Sequence, residues 1–132
     1  MGQSPKILII DDDPDIRDAL TMILGSQDYQ VTTAGFGAQG LEKVKEDKPD
    51  LIILDLIMPG MGGFVVYKKL KDSGHPEWND IRILILTSLR EDATRTQFEL
   101  ETGMELAVDD YIEKPISSRI ILERVGKILE KE

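Results

Sequence analysis

Three aspartates, a threonine and a lysine each stand at or just past the end of a short apolar run. Asp11 and Asp12 follow Lys6 to Ile10, Asp55 follows Leu51 to Leu54, Thr87 follows Ile81 to Leu86, and Lys114 follows a run that ends at Ile112. Gathered around one pocket, three carboxylates would repel one another and raise each other's pKa values unless a cation joined them. The donors are all oxygen, with neither His nor Cys, and the fitting cation is Mg2+, which takes a few carboxylates, waters and a phosphate oxygen. Asp55 would supply one oxygen and Asp12 another, with Asp11 acting through water. A carboxylate facing a metal and a phosphate donor is also a nucleophile for phosphoryl transfer, giving an aspartyl phosphate on Asp55. Lys114 would set a positive point charge on the phosphoryl oxygens, and the Thr87 hydroxyl would donate a hydrogen bond to one of them.

Each residue has a plainer reading. Asp13 before Pro14 is a helix cap, and Asp55 taken alone is as readily a solvated turn aspartate. Ser88 and Glu91 match the capping box S-x-x-E, compatible with Thr87 facing the pocket. Lys114 alone reads as a surface lysine, although the Lys114-Pro115 bond can be cis. His75 and Trp78 fall in the polar stretch Asp72 to Asp80 and read as loop surface. The methionines read as core filler or loop contacts.

The elements that must position these residues follow from hydrophobic spacing. Continuous apolar runs at Lys6–Ile10, Leu51–Leu54 and Ile81–Leu86 suit strands buried on both faces. Weaker strands fall over Tyr29–Ala34 and within Leu106–Ile112. Helical spacing is carried by Ile16, Ala19, Leu20, Ile23 and Leu24, stopping at Gly25, and by Ala38, Leu41 and Val44. A short helix over Phe64–Lys71 offers Phe64, Val65 and Leu70 to the core. Glu91 to about Gly103 is polar, with Ala93, Phe98 and Leu100 among its few apolar positions. Ser117 or Ser118 caps a last helix that turns Ile120, Ile121, Val125, Ile128 and Leu129 inward. Five strands alternating with five helices predict a parallel sheet covered on both faces. Right-handed crossovers then bring every strand's carboxyl end to one edge, and the five polar residues with them.

The chain has 132 residues, 41% hydrophobic and 31% charged, and is read as one domain over 1–132, with residues 1–5 expected as a disordered extension. Its net charge of −9 argues against nucleic-acid binding, which needs clustered Lys and Arg. The absence of cysteine excludes disulfides and zinc-thiolate sites. No run approaches a membrane span or a signal region, and Lys6 replaces the Ser or Thr of a myristoylation start, so a cytoplasmic location is expected.

The chain resembles the receiver domain of bacterial two-component response regulators. The likeness rests on I-L-I-I-D-D-D-P at Ile7 to Pro14, L-D-L-I-M-P-G-M-G-G at Leu54 to Gly63, L-T-S at Leu86 to Ser88 and D-D-Y-I-E-K-P at Asp109 to Pro115, which together span almost the whole chain. It implies a flavodoxin-like (βα)5 fold with strand order 2-1-3-4-5. It matches Asp55 to the phosphoacceptor, Asp11 and Asp12 to the acidic metal pair, and the Ile57 backbone carbonyl to the third protein ligand of Mg2+. Thr87 and Lys114 match the residues that follow the phosphoryl group, and Tyr111 the aromatic that changes rotamer on activation. The implied partners are a sensor histidine kinase or histidine phosphotransfer protein and a downstream protein target. The helix 4, strand 5 and helix 5 face is a candidate homodimer surface. Two departures stand out: Gly62 replaces the usual Asp, which is expected to alter loop flexibility, and the Glu91–Val108 region is longer than usual. Competing classes are a receiver-like interaction module that is never phosphorylated, and a haloacid-dehalogenase-like hydrolase. The hydrolase would need a second Asp where Ile57 stands.

Overall fold

The computed structural model describes residues 4–72 and 74–130. Its elements are β1 (Lys6–Ile10), α1 (Pro14–Gly25), β2 (Gln30–Ala34), α2 (Gly37–Glu46), β3 (Leu51–Leu54), α3 (Gly63–Lys71), β4 (Arg82–Thr87), α4 (Glu91–Thr102), β5 (Asp110–Glu113) and α5 (Ser118–Glu130). The five strands form one parallel sheet in the order β2-β1-β3-β4-β5. This is the flavodoxin-like arrangement that the resemblance implies.

Side chains of a strand point alternately to its two faces, and that divides the interior into two cores. Leu8, Ile10, Ile52, Leu54, Ile83 and Ile85 pack with Val44, Val66, Leu70 and Phe98 from α2, α3 and α4. Ile7, Ile9, Leu51, Ile53, Leu84 and Leu86 pack with Leu20, Leu24, Ile121, Val125 and Ile128 from α1 and α5. The central strands are apolar at successive positions because water reaches neither face.

Several expectations need correction. Trp78 is buried, not loop surface: Pro76–Trp78 form a 3-10 turn that tucks the indole into the α2–α3–α4 core, and the exposed His75 ring stacks on it with centroids 4.3 Å apart. On α3 Val66, Tyr67 and Leu70 are buried and Phe64 packs partly buried against the same core, while Val65 is 44% exposed. On α4 only Thr94 and Phe98 are buried, and Leu100 is 81% exposed. The Ser88 capping box does not form: α4 begins three residues later, with Arg90 at its N-cap and no side-chain cap. On α5, by contrast, the expected inward face holds: Ile121, Val125 and Ile128 are buried, Ile120 and Leu129 pack partly buried against the same core, and Ser117 Oγ accepts from the Ile120 N–H at 3.4 Å.

The expected N-terminal extension covers residues 1–5. Its first three residues lie outside the described residues, but the carbonyls of Ser4 and Pro5 accept hydrogen bonds from Gln30 at 3.2 and 2.9 Å. Gly62 is the N-cap residue of α3 at φ −74°, ψ 172°, a conformation open to any residue. With no side chain, Gly62 gives α3 no side-chain cap. Between α4 and β5 the chain forms a connector held on both sides. Arg95 donates to the Leu106 carbonyl, and the Tyr67 hydroxyl donates to the Ala107 carbonyl at 3.1 Å while accepting from its N–H at 2.9 Å. No helix of the described residues is long and apolar enough to cross a membrane.

Candidate functional site

β1 and β3 each extend their pairing by one residue into the site. The Asp11 N–H donates to the Ala34 carbonyl at 3.1 Å and the Asp55 N–H to the Ile10 carbonyl at 3.0 Å. Both carboxylates thus begin from backbone pinned by the sheet, and both are buried, Asp11 at 2% and Asp55 at 4% exposure. Asp12 is exposed. One carboxylate oxygen from each of Asp11, Asp12 and Asp55 lies within 4.8 Å of the others.

Lys114 comes from β5's side. Its backbone N–H donates to the Thr87 carbonyl at 2.7 Å, continuing the β4–β5 pairing, and the Lys114–Pro115 bond is cis. Its ammonium lies 3.0 Å from Asp11 Oδ2 and 3.4 Å from Asp55 Oδ2. The Asp55 Oδ1 accepts from the Ile57 N–H at 3.2 Å, and the Asp11 Oδ1 from the Asp13 N–H at 2.9 Å. Thr87 is the last residue of β4, and its hydroxyl is buried without a hydrogen-bond partner among the described residues. An orphan hydroxyl in this position costs free energy unless something else at the site engages it.

Tyr111 is buried on β5, its hydroxyl donating to the Leu89 carbonyl at 3.2 Å and sharing a hydrogen bond with Thr94 Oγ1 at 3.0 Å. Thr94 did not stand out in the sequence. Its only signal is its spacing of four from Phe98, which sets both on the inward stripe of α4. Arg17 also went unremarked; from α1 it donates to the Asp11 carbonyl at 2.8 Å. Asp13 accepts from the Asp15 N–H as the α1 cap, as expected.

Burial, more than any neighbour, pushes the Asp11 carboxyl above its ordinary 3.8, and the Asp55 charge adds to it; the Asp13 N–H and Lys114 only partly offset this. Burial alone would lower the Lys114 ammonium, but the Asp11 hydrogen bond and the charges of Asp55 and Asp11 outweigh it, leaving the pKa raised. The Asp11 shift carries a sign. Between pH 3.8 and its raised folded value, the folded state binds more protons than the unfolded state, so this contribution to stability falls as pH rises. Asp11→Asn is accordingly expected to raise the metal-free melting temperature at pH 7, with a smaller gain toward pH 4. Thermal scans in EDTA at both pH values check it, and an equal or lower Tm at pH 7 would contradict it.

Gly63 sets the depth of the Asp55 loop. A Cβ there would sit 2.3 Å from the Asp55 carbonyl oxygen and 2.6 Å from the Leu56 Cα, both backbone atoms. Overpacking of this kind typically costs about 1–3 kcal/mol. Gly63→Ala is expected to lose that much in urea unfolding, whereas Gly25→Ala, with open space around it, is expected to lose nothing of the kind.

The donor set and spacing suit a small hard cation: three carboxylates, two of them buried, on backbone the sheet holds in place. Asp11, Asp12 and Asp55 are the side chains that would hold Mg2+. The fold and this pocket define a receiver. The model of the response regulator receiver domain family matches residues 7–126, and the chain belongs to that family. It is 34% identical over 127 residues to the transcriptional regulatory protein AfsQ1 of Streptomyces coelicolor, covering 96% of this chain and 52% of that protein. Among solved structures it resembles Vibrio cholerae chemotaxis protein CheY4 (TM-score 0.81, 26% identity, 95% of this chain and 98% of that one). It also resembles the signal receiver domain of a histidine kinase from Syntrophus aciditrophicus (TM-score 0.81, 29% identity, 98% and 95%). The chain spans about half the length of the curated relatives it matches. Such receiver domains are signalling proteins of two-component systems rather than turnover enzymes.

Proposed function

We propose that this receiver is a phosphorylation switch whose acceptor is Asp55. The observation that carries the reading is one convergence: three carboxylates within 4.8 Å, a lysine at 3.0 and 3.4 Å, and a buried threonine hydroxyl with no partner. Asp55 attacks the phosphorus of a phosphohistidine on a sensor kinase or phosphotransfer protein. The P–N bond breaks as the acyl phosphate forms, and the histidine leaves with its nitrogen lone pair. Asp11, Asp12 and Asp55, with the Ile57 carbonyl, would hold Mg2+, which would supply positive charge against the phosphoryl group. Lys114 then has a phosphoryl oxygen to bind in place of a bare carboxylate pair, and Thr87 finds an acceptor.

The added charge is comparable to that of a phosphate ester, about −1.5 to −2. Drawing Thr87 toward it opens room beside Tyr111, and repacking of α4 and β5 follows. A downstream protein that prefers the repacked face stabilises the phosphorylated state. Hydrolysis of the acyl phosphate resets the switch. The cytoplasm, where kinase and nucleotide meet, is the compartment this requires, and residues 1–132 act as one receiver unit.

The test is incubation with acetyl phosphate and Mg2+ followed by intact-mass spectrometry. One phosphoryl group is expected on the wild type, none in EDTA and none on Asp55→Asn. Undiminished labelling of the Asn variant would remove Asp55 from its role.

A further inference from the structure

The surface carries two features that fit each other and that the phosphorylation site does not use. The first is an open groove of about 700 Å3 between α2 and α3, closed at one end by Trp78. Ala38, Leu41, Met61 and Val65 give it an apolar floor. Its α2 rim carries Lys45 paired with Glu42 at 3.5 Å, while its α3 rim carries Lys68 and Lys69, with Asp72 just beyond them. Helix α3 bears three lysines and no acid, in a chain of net charge −9. Lys68 and Lys69 are exposed and make no ion pair among the described residues.

The second is the outer stripe of α4. Ala93, Thr96 and Leu100 recur at i, i+3 and i+7, opposite the buried Thr94 and Phe98. Leu100 is the most exposed of the large apolar side chains, at 81%, and stands between Glu99 and Glu101. The helix carries four acids against one arginine. An apolar knob with acidic shoulders thus sits on the same molecule as an apolar trough with lysine shoulders.

We propose that α4 of one copy docks in the α2–α3 groove of another, with Leu100 between Leu41 and Val65 and Glu99 and Glu101 facing Lys68 and Lys69. This is an amphipathic helix laid in an apolar groove. The contact is heterologous, joining two different faces, so each docked copy still presents its own groove and association runs head to tail. It is distinct from a symmetric pairing of α4–β5–α5 faces. One helix in one groove buries less than the ~1,200 Å2 of a stable complex, so the association is weak and concentration-driven. Opposed charges at its rim make it sensitive to salt.

Sedimentation velocity on the full chain in EDTA tests this. Wild type is expected to sediment faster as concentration rises toward about 1 mM, the range such small contacts reach, and to lose that trend in high salt. Lys68→Glu with Lys69→Glu, and separately Glu99→Lys with Glu101→Lys, are each expected to stay monomeric. An equimolar mixture of the two double variants associates again, because each supplies the complement the other needs. All four positions are exposed, so the fold is not at stake. The chain's lack of cysteine allows a second reading of the geometry. Oxidation of mixed Val65→Cys and Leu100→Cys chains is expected to give the mixed disulfide, while Leu100→Cys mixed with Met22→Cys, on the opposite side of the sheet, gives none. A wild type monomeric throughout, double variants that associate like wild type, a mixture that stays monomeric, or equal crosslinking of both cysteine pairs overturns the proposal.

Discussion

Lys114→Met is expected to destabilise the metal-free protein and to deepen its response to Mg2+. The ammonium lies 3.0 Å from Asp11 and 3.4 Å from Asp55 and is the cation that compensates two buried carboxylates. Removing one partner from a fully buried ion pair costs about 3–5 kcal/mol, because the remaining charge stays desolvated. The Lys114 side chain is 19% exposed, and solvent screening reduces the expected loss to about 2 kcal/mol. Methionine keeps the length of the side chain and so isolates the charge. Magnesium restores the missing positive charge, so the melting temperature should climb more steeply with Mg2+ in the variant than in wild type. Thermal scans in EDTA and across a Mg2+ titration measure both effects. Equal stability in EDTA would mean that the lysine does not neutralise the cluster, and the electrostatic account of the pocket would fail with it.

Phe98→Ala is expected to cost the most stability of any single change considered. Phe98 is fully buried, its ring 4.9 Å from that of Phe64 and 5.5 Å from that of Tyr67, the latter edge-on. It is the one large apolar side chain that α4 sends inward, and with the Thr94–Tyr111 hydrogen bond it anchors an otherwise polar helix to the sheet. Phe→Ala in a packed core removes about 3–5 kcal/mol, a large share of the roughly 5–15 kcal/mol that holds a domain together. Urea unfolding should show that loss. Leu100→Ala, two residues away and facing solvent, should stay within about 0.5 kcal/mol at concentrations where the chain is monomeric. A large loss at Leu100 with little at Phe98 would mean that α4 sits the other way round.

The contrast between Phe98 and Leu100 shows where sequence reasoning reached its limit. Both are apolar positions on a helix with too few of them to define a stripe, and composition gives no reason to prefer one. The same holds for Trp78 and Val65. A tryptophan within the nine-residue polar stretch Asp72–Asp80 reads as surface, yet a 3-10 turn swings it into a space that α2 and α3 leave open. Ser88 and Glu91 have the spacing of a capping box, but α4 starts at Glu91 with Arg90 at its N-cap and no side-chain cap, so the matching spacing did not mark the helix start.

By itself the sequence determined the strands, their parallel arrangement and the gathering of Asp11, Asp12, Asp55, Thr87 and Lys114 at one sheet edge. Continuous apolar runs admit only a doubly covered sheet, and chain chirality places all its carboxyl ends together. Only the tertiary structure decided that Lys114 reaches between Asp11 and Asp55, that the Thr87 hydroxyl is left without a partner, and that Thr94 meets Tyr111. Those are distances between side chains on separate elements, set by how the helices pack, and local periodicity carries no information about them.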